Sequence, residues 1–236
     1  MKYGLLFVGL FLGVSTLAFA KSKNKQPPAD TAATTATAPI PGVPAPVSKF
    51  LNQQDLDKMT KKGLKLNVGT TPPNMEGTYI LDSQTVRHKS GDFPGDYPIG
   101  HVVDLYTYTL KHKGITVDVE YASPAVDDKG TADKAFVSGS GNCFTLYMDK
   151  KGEQGGCHYK VPSVVSACVD EAGLKNFRAS FTMKSKSGSP VCDELMPLGY
   201  VRIYEEADGL AKRKQLGDDS GSYDVEPSDE PAPEKE

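Results

Sequence analysis

The stretch Thr71-Pro72-Pro73-Asn74-Met75-Glu76-Gly77-Thr78-Tyr79-Ile80-Leu81 decides how the rest of the chain is read. Its prolines hold the lead extended, because a residue that precedes proline is kept out of the helical region. Gly77 then turns the chain into Thr78-Tyr79-Ile80-Leu81, a β-branched and aromatic run suited to a pleated strand. It reads as the first strand of an antiparallel barrel that later strands close. Further on, Ile115, Val117, Val119 and Tyr121 alternate with Thr116, Asp118 and Glu120, which is the period of a half-buried strand. A helix would scatter the same apolar residues around its circumference.

Working outward, strands are expected over residues 102–110, with a turn at 111–114, and over 135–142 leading into 143–148. Others follow over 157–169, 178–183 and 198–204, the last running into a turn at 206–210. Residues 127–134 read as a polar loop and 173–177 as a turn. The expected fold class is all-β, an antiparallel up-and-down barrel of about eight strands with one short N-terminal helix. That helix spans 52–63: Asn52 caps it, Asp55 lies in the first turn, Lys58, Lys61 and Lys62 lie toward its end, and Gly63 stops it. Leu56 and Met59 share a face, which would set the helix against a barrel end.

Both ends of the chain are compositionally unlike its middle. Apolar residues make up 38% of the 236 residues, low for a chain folded throughout, and the deficit is local. Lys2, the apolar run 5–14 and Ala18-Phe19-Ala20 form a signal peptide over residues 1–20 with its cleavage site. The run is too short to span a bilayer, and no cysteine adjoins the cleavage site to carry a lipid. A mature chain starting at Lys21 is expected, periplasmic or secreted, without a lipid anchor or transmembrane segment. Residues 21–46 are an Ala/Thr/Pro-rich linker that stays extended; Asp30-Thr31-Ala32 within it reads as unmodified spacer. Residues 47–216 form the barrel domain, and 217–236 a disordered acidic tail. The net charge of −3 is the tail's −7 set against +4 elsewhere, which gives no basis for nucleic-acid binding.

The four cysteines, Cys143, Cys157, Cys168 and Cys192, are an even number in an exported chain and so suggest disulfides, with three connectivities open. No Cys-x-x-Cys spacing occurs and only His158 adjoins a cysteine, so no metal site is expected. Gly155-Gly156 makes a two-residue hairpin tip. That register sets Cys143 across from Cys168, leaving Cys157 beside the tip and Cys192 in the next loop at the same barrel end. Cys143–Cys168 and Cys157–Cys192 follow, provided the register does not slip by one residue.

Residues that could carry chemistry are dispersed. His88, His101, His112 and His158 are scattered and read as exposed, and the spacing of His101 and Asp104 puts them on opposite strand faces. Ser138-Gly139-Ser140-Gly141-Asn142 matches neither a nucleophile elbow nor a phosphate loop and reads as a glycine kink at a barrel corner. Asp127-Asp128 and Glu205-Glu206 fall in expected turns and read as solvated. The 206–210 turn lacks calcium-loop spacing. No enzyme activity and no cofactor are expected.

From about residue 52 to residue 212 the chain resembles a family of exported bacterial proteins with a lipocalin-like barrel. The family is of the Bacteroidetes type, includes many lipoproteins and has no defined activity. The resemblance rests on Gly69-Thr70-Thr71-Pro72-Pro73-Asn74-Met75-Glu76-Gly77-Thr78-Tyr79, Gly95-Asp96-Tyr97-Pro98-Ile99-Gly100 and Ser138 to Thr145, with Pro197-Leu198-Gly199-Tyr200-Val201-Arg202 and Asp208-Gly209-Leu210-Ala211. Lipocalins open with Gly-x-Trp and stack a cation from the last strand on that ring. Here Gly77-Thr78-Tyr79 offers tyrosine, and the resemblance implies a Tyr79–Arg202 pair closing the barrel. Alternation, however, turns Arg202 away from Val201 and Ile203, and the missing lipobox departs from the lipoprotein members.

The function expected is binding of a small apolar ligand inside the barrel by a monomer. Tyr79, Val117, Val119, Tyr121, Phe144, Leu146, Met148, Phe181 and Met183 are the candidate lining; the competing reading is that they simply fill the core. The alternative function is a structural or protein-interaction module of the bacterial cell envelope, spaced from its partner by the linker and tail.

Overall fold

The computed structural model describes residues 41–215 other than Asp104. The expected signal peptide, most of the linker, the Asp30-Thr31-Ala32 triplet and the acidic tail lie outside the described residues. Eleven strands form one sheet: β1 (Gly77–Leu81), β2 (Gln84–Lys89), β3 (Tyr106–Lys113), β4 (Thr116–Ser123), β5 (Asp128–Ser140), β6 (Cys143–Gln154), β7 (Cys157–Asp170), β8 (Gly173–Thr182), β9 (Ser185–Gly188), β10 (Val201–Glu206) and β11 (Leu210–Arg213). Among the described residues two α-helices accompany them, α1 (Gln53–Lys61) and α2 (Val191–Glu194), with 3-10 turns at Ala45–Lys49 and Pro124–Val126.

β1 and β2 prolong one another across a jog at Asp82 and Ser83, and β10 and β11 do the same across a turn. β1 pairs with β11 and β2 with β10. Taken as two long strands, these join β3 through β8 in a closed antiparallel barrel of eight strands. Each strand pairs with its successor in the chain, and β8 meets β10 and β11 to complete the ring. Closure leaves the central ladder without a free edge. β9 is an extra strand. It pairs with the start of β7, from Cys157↔Gly188 to Lys160↔Ser185, where β8 has diverged.

The β6–β7 hairpin has the register read from its glycines, from Gln154↔Cys157 at the tip to Cys143↔Cys168. Both expected disulfides, Cys143–Cys168 and Cys157–Cys192, are formed.

Other expectations need correction. Residues 128–134 are not a loop, because β5 begins at Asp128. Its inward positions there are Asp128, Gly130 and Ala132, so the alternation lacks the bulky apolar residues that would announce a strand. Residues 173–177 are the first part of β8, which leaves only Glu171 and Ala172 for the turn. Ile115 is 73% exposed at the β3–β4 turn, while Val117, Val119 and Tyr121 point inward as expected.

α1 is capped as the sequence indicates: Asn52 accepts from the Asp55 amide at 2.8 Å. It does not sit on a barrel end. Leu56 and Met59 pack with Val47, Leu51 and Leu64 on the outer wall, against Tyr147, Val164, Val201 and Ile203. Burying each leucine contributes about 2 kcal/mol, and Lys184 Nζ meets the buried Asp55 carboxylate at 2.7 Å. This packing resolves the conflict over Arg202. Val201 and Ile203 are buried outside the sheet beneath the helix, and Arg202 is buried on the inner side.

Candidate functional site

The interior of the barrel is divided. In the half next to the β3–β4, β5–β6 and β7–β8 turns, Met75, Tyr79, Leu110, Val117, Val119, Phe144, Leu146, Leu174 and Phe177 form a filled core. The other half holds a cavity of about 490 Å³. Met148, Val161, Val165, Ala179, Phe181, Met183 and Tyr204 form its walls, Tyr108 lies at its base, and the ring of Phe177 meets Tyr108 edge-on at 6.3 Å. Phe93, Pro94 and Tyr97 from the β2–β3 connection, with Leu195 and Met196 beyond α2, line the mouth.

Of the expected lining residues, Met148, Phe181 and Met183 reach this cavity. Tyr79, Val117, Val119, Phe144 and Leu146 belong to the filled half. Tyr121 stands between the two, with the Lys150 ammonium 3.8 Å above its ring.

The two charged groups of this part of the cavity come from a segment read as a loop, Asp128, and from a position assigned to no element, Lys150, while the tyrosines around them lie on expected strands. Asp128, only 8% exposed, accepts hydrogen bonds from the Tyr106 hydroxyl at 2.7 Å and from the Tyr159 hydroxyl. The Tyr159 and Tyr121 hydroxyls are 2.8 Å apart. Lys150, 6% exposed, donates to the Tyr108 hydroxyl at 3.0 Å. Burial pushes the Tyr106 and Tyr159 phenols far above their ordinary range; the Asp128 charge adds to this, and for Tyr159 so does Tyr121. Tyr121 is pushed up to about 12 by burial, against the opposing effect of Lys150. Burial disfavours the charge on Lys150, but Tyr108, Tyr121 and Asp128 outweigh it, and its pKa stands above that of an ordinary lysine. Tyr106, Tyr121 and Tyr159 are therefore neutral at physiological pH, and Lys150 is an ammonium.

Two glycines make the cluster fit. Gly130 and Gly152 face one another across β5 and β6. A Cβ on Gly130 would lie 2.4 Å from the Tyr121 hydroxyl and 2.2 Å from the Lys151 carbonyl. One on Gly152 would lie 2.2 Å from the Tyr121 hydroxyl and 2.4 Å from that of Tyr159. The missing side chains are the space that the tyrosine hydroxyls occupy.

Arg202 lies nearer the mouth. Its guanidinium pairs with Asp96, donates to the Tyr204 hydroxyl at 3.3 Å and sits over the rings of Phe93 and Tyr97 at 5.3 and 5.4 Å. Lys89 also reaches Asp96, at 3.3 Å. Arg202 Nε and Gln84 Nε2 are buried without a hydrogen-bond partner, and both residues line the cavity.

The expected Tyr79–Arg202 pair is not formed. Tyr79 lies opposite Arg213 in the β1–β11 register, and it is Arg213 that sits 4.9 Å from the ring and donates to its hydroxyl at 2.8 Å. Arg202 belongs to β10, whose partner is β2, and this carries it toward the mouth. The two carboxylate pairs also differ from expectation. Asp128 and Glu206 are buried, while Asp127 is exposed and Glu205 forms ion pairs with Arg87 and Arg178 on the surface. Among the described residues, no group of three or more His, Cys, Asp or Glu side chains is placed to hold a metal ion.

One signal in the sequence could have found Lys150. Phe144, Leu146 and Met148 step inward along β6, and the same alternation, continued, puts Lys150 inside the barrel. Comparison with known proteins adds no further assignment: no family model, no curated protein and no solved structure matches the chain.

Proposed function

We propose that the chain is an exported, non-catalytic binding protein that holds one small, largely apolar ligand in the open half of its barrel. The observation that carries this reading is the cavity of about 490 Å³ lined by aromatic and methionine side chains, in a barrel whose other half is packed solid. A volume of that size with few, fixed polar groups suits a small-molecule site. Export is supported by the signal-peptide pattern of residues 1–20 and by two disulfides, which persist in oxidising compartments. No described helix is long and apolar enough to cross a membrane. The resemblance to exported lipocalin-like barrels belongs to this reading, and so does a bacterial envelope as the setting.

Native mass spectrometry of the protein purified gently from its host, before and after denaturation, tests it. The expected result is a reproducible extra mass that is lost on unfolding. A bare protein mass from several preparations would turn the assignment to the alternative, an interaction module of the cell envelope.

A further inference from the structure

Lys150 presents a problem that the protein alone leaves unsolved. Its side chain is buried, and among the described residues no carboxylate lies within ion-pair distance of it. Its one hydrogen-bond acceptor is the Tyr108 hydroxyl, and Tyr121 offers only the face of its ring. An unpaired charge in such a site is costly. The Tyr108 oxygen receives its bond from Lys150, so its own hydrogen is free for another acceptor. Two donors 3.0 Å apart, both on residues lining the cavity, are thus available to one group entering from the mouth.

The neighbouring carboxylates are already engaged or lie at the surface. Asp128 is the nearest anion on this wall, and each of its oxygens already takes a tyrosine hydroxyl. Toward the mouth, Arg202 and Lys89 share the single buried carboxylate of Asp96. Asp92, which also meets Lys89, is 85% exposed. Of the two cations that line the cavity among the described residues, Arg202 is paired by Asp96, and Lys150 alone has no carboxylate in contact; Glu194, the other carboxylate on the lining beside Asp128, is exposed. Arg202 Nε, without a partner, is a further donor on the path inward.

We propose that the cavity takes a monoanionic amphiphile, with its carboxylate on Lys150 Nζ and the Tyr108 hydroxyl and its apolar body extending past Phe181 and Met183 toward the mouth. This rests on the binding reading above and gives it a ligand class. The carboxylate would supply the anion that Lys150 lacks, in a charge-assisted hydrogen bond of the stronger kind. The methionine and aromatic walls would take the tail without demanding one exact shape.

The test is titration calorimetry at pH 7 on the purified protein with three probes of equal chain length: decanoate, decan-1-ol and decylamine. Decanoate is expected to bind about tenfold or more tighter than decan-1-ol, the scale of a hydrogen bond to a charged group. Lys150→Met should erase that preference, bringing decanoate down to the affinity of decan-1-ol or below, and an apolar side chain of similar length is commonly tolerated where a buried charge stood. If that variant fails to fold, Tyr108→Phe keeps the ring, removes the donor, and should weaken decanoate alone by about threefold or more. Decan-1-ol or decylamine binding as well as decanoate would overturn the carboxylate assignment and leave the cavity as a binding site. Silence from all three probes would overturn the binding reading itself.

Discussion

Glu206 ends β10 inside the barrel wall, 1% exposed. One of its oxygens accepts from the Ser83 amide at 3.2 Å and the other has no partner. Burial, with Asp82 and Asp208 adding their charges, pushes its pKa up to about 7. In the unfolded chain a glutamate titrates near 4.3. Below that value both states hold the proton and the group costs nothing. As pH rises toward 7 the unfolded chain releases the proton while the folded protein keeps it, so stability falls across this window and levels off above it. The loss from this one group should be on the order of 1–3 kcal/mol. Urea unfolding of wild type and Glu206→Gln at pH 5 and pH 8 isolates it: wild type should lose that much more than the variant between the two conditions. Parallel pH dependences would show that Glu206 is already ionised in the fold. None of this was legible beforehand, because Glu205-Glu206 beside Ala207-Asp208-Gly209 reads locally as a solvated turn. What buries Glu206 is the alternation that puts Arg202 and Tyr204 inside, together with the jog of β1 and β2 that brings Ser83 across to it.

Among the elements, the β6–β7 hairpin was the most legible, because its information is local. Gly155 and Gly156, with φ of 53° and 78°, supply the positive-φ pair that a tight hairpin requires, and the tip then fixes every pairing back to Cys143↔Cys168. The first part of β5, residues 128–134, reads wrongly as a loop. Asp128 and Gly130 there meet Tyr106, Tyr121 and Tyr159 from three other strands, and no window of sequence contains those contacts. The two disulfides consequently do different work. Cys143–Cys168 joins strands already laddered together. Cys157–Cys192 ties β7 to α2, a single helical turn beside Leu195 and Met196 at the cavity mouth. Replacing Cys157 and Cys192 together by serine should cost about 2–4 kcal/mol by the loop-closure relation. Its local effect should be a rise in amide exchange over residues 189–197, with the β6–β7 ladder unchanged. Equal loosening of both regions would mean that the disulfide does not act on α2 alone.

At the scale of the molecule, closure of the sheet creates one interior, but side-chain size decides how it is used. Phe144, Leu146, Leu174 and Phe177 converge in one half, whereas Ala179 farther along β8, with Ser163 and Val165 on β7, leaves the other half open. A pair of opposite substitutions tests this division directly. Leu146 is 1% exposed in the filled half, and Leu146→Ala should create a void and cost about 2–5 kcal/mol. Ala179 borders the cavity, so Ala179→Leu places its three added carbons in space that is already empty. It should therefore leave thermal stability equal or higher, since each buried methylene contributes about 0.8 kcal/mol, while reducing the ligand mass seen by native mass spectrometry. A well-packed wall would respond the other way, with overpacking costing about 1–3 kcal/mol. Thermal unfolding of both variants, read beside their native masses, thus separates a barrel built to be filled by its own side chains from one built to be filled by something else.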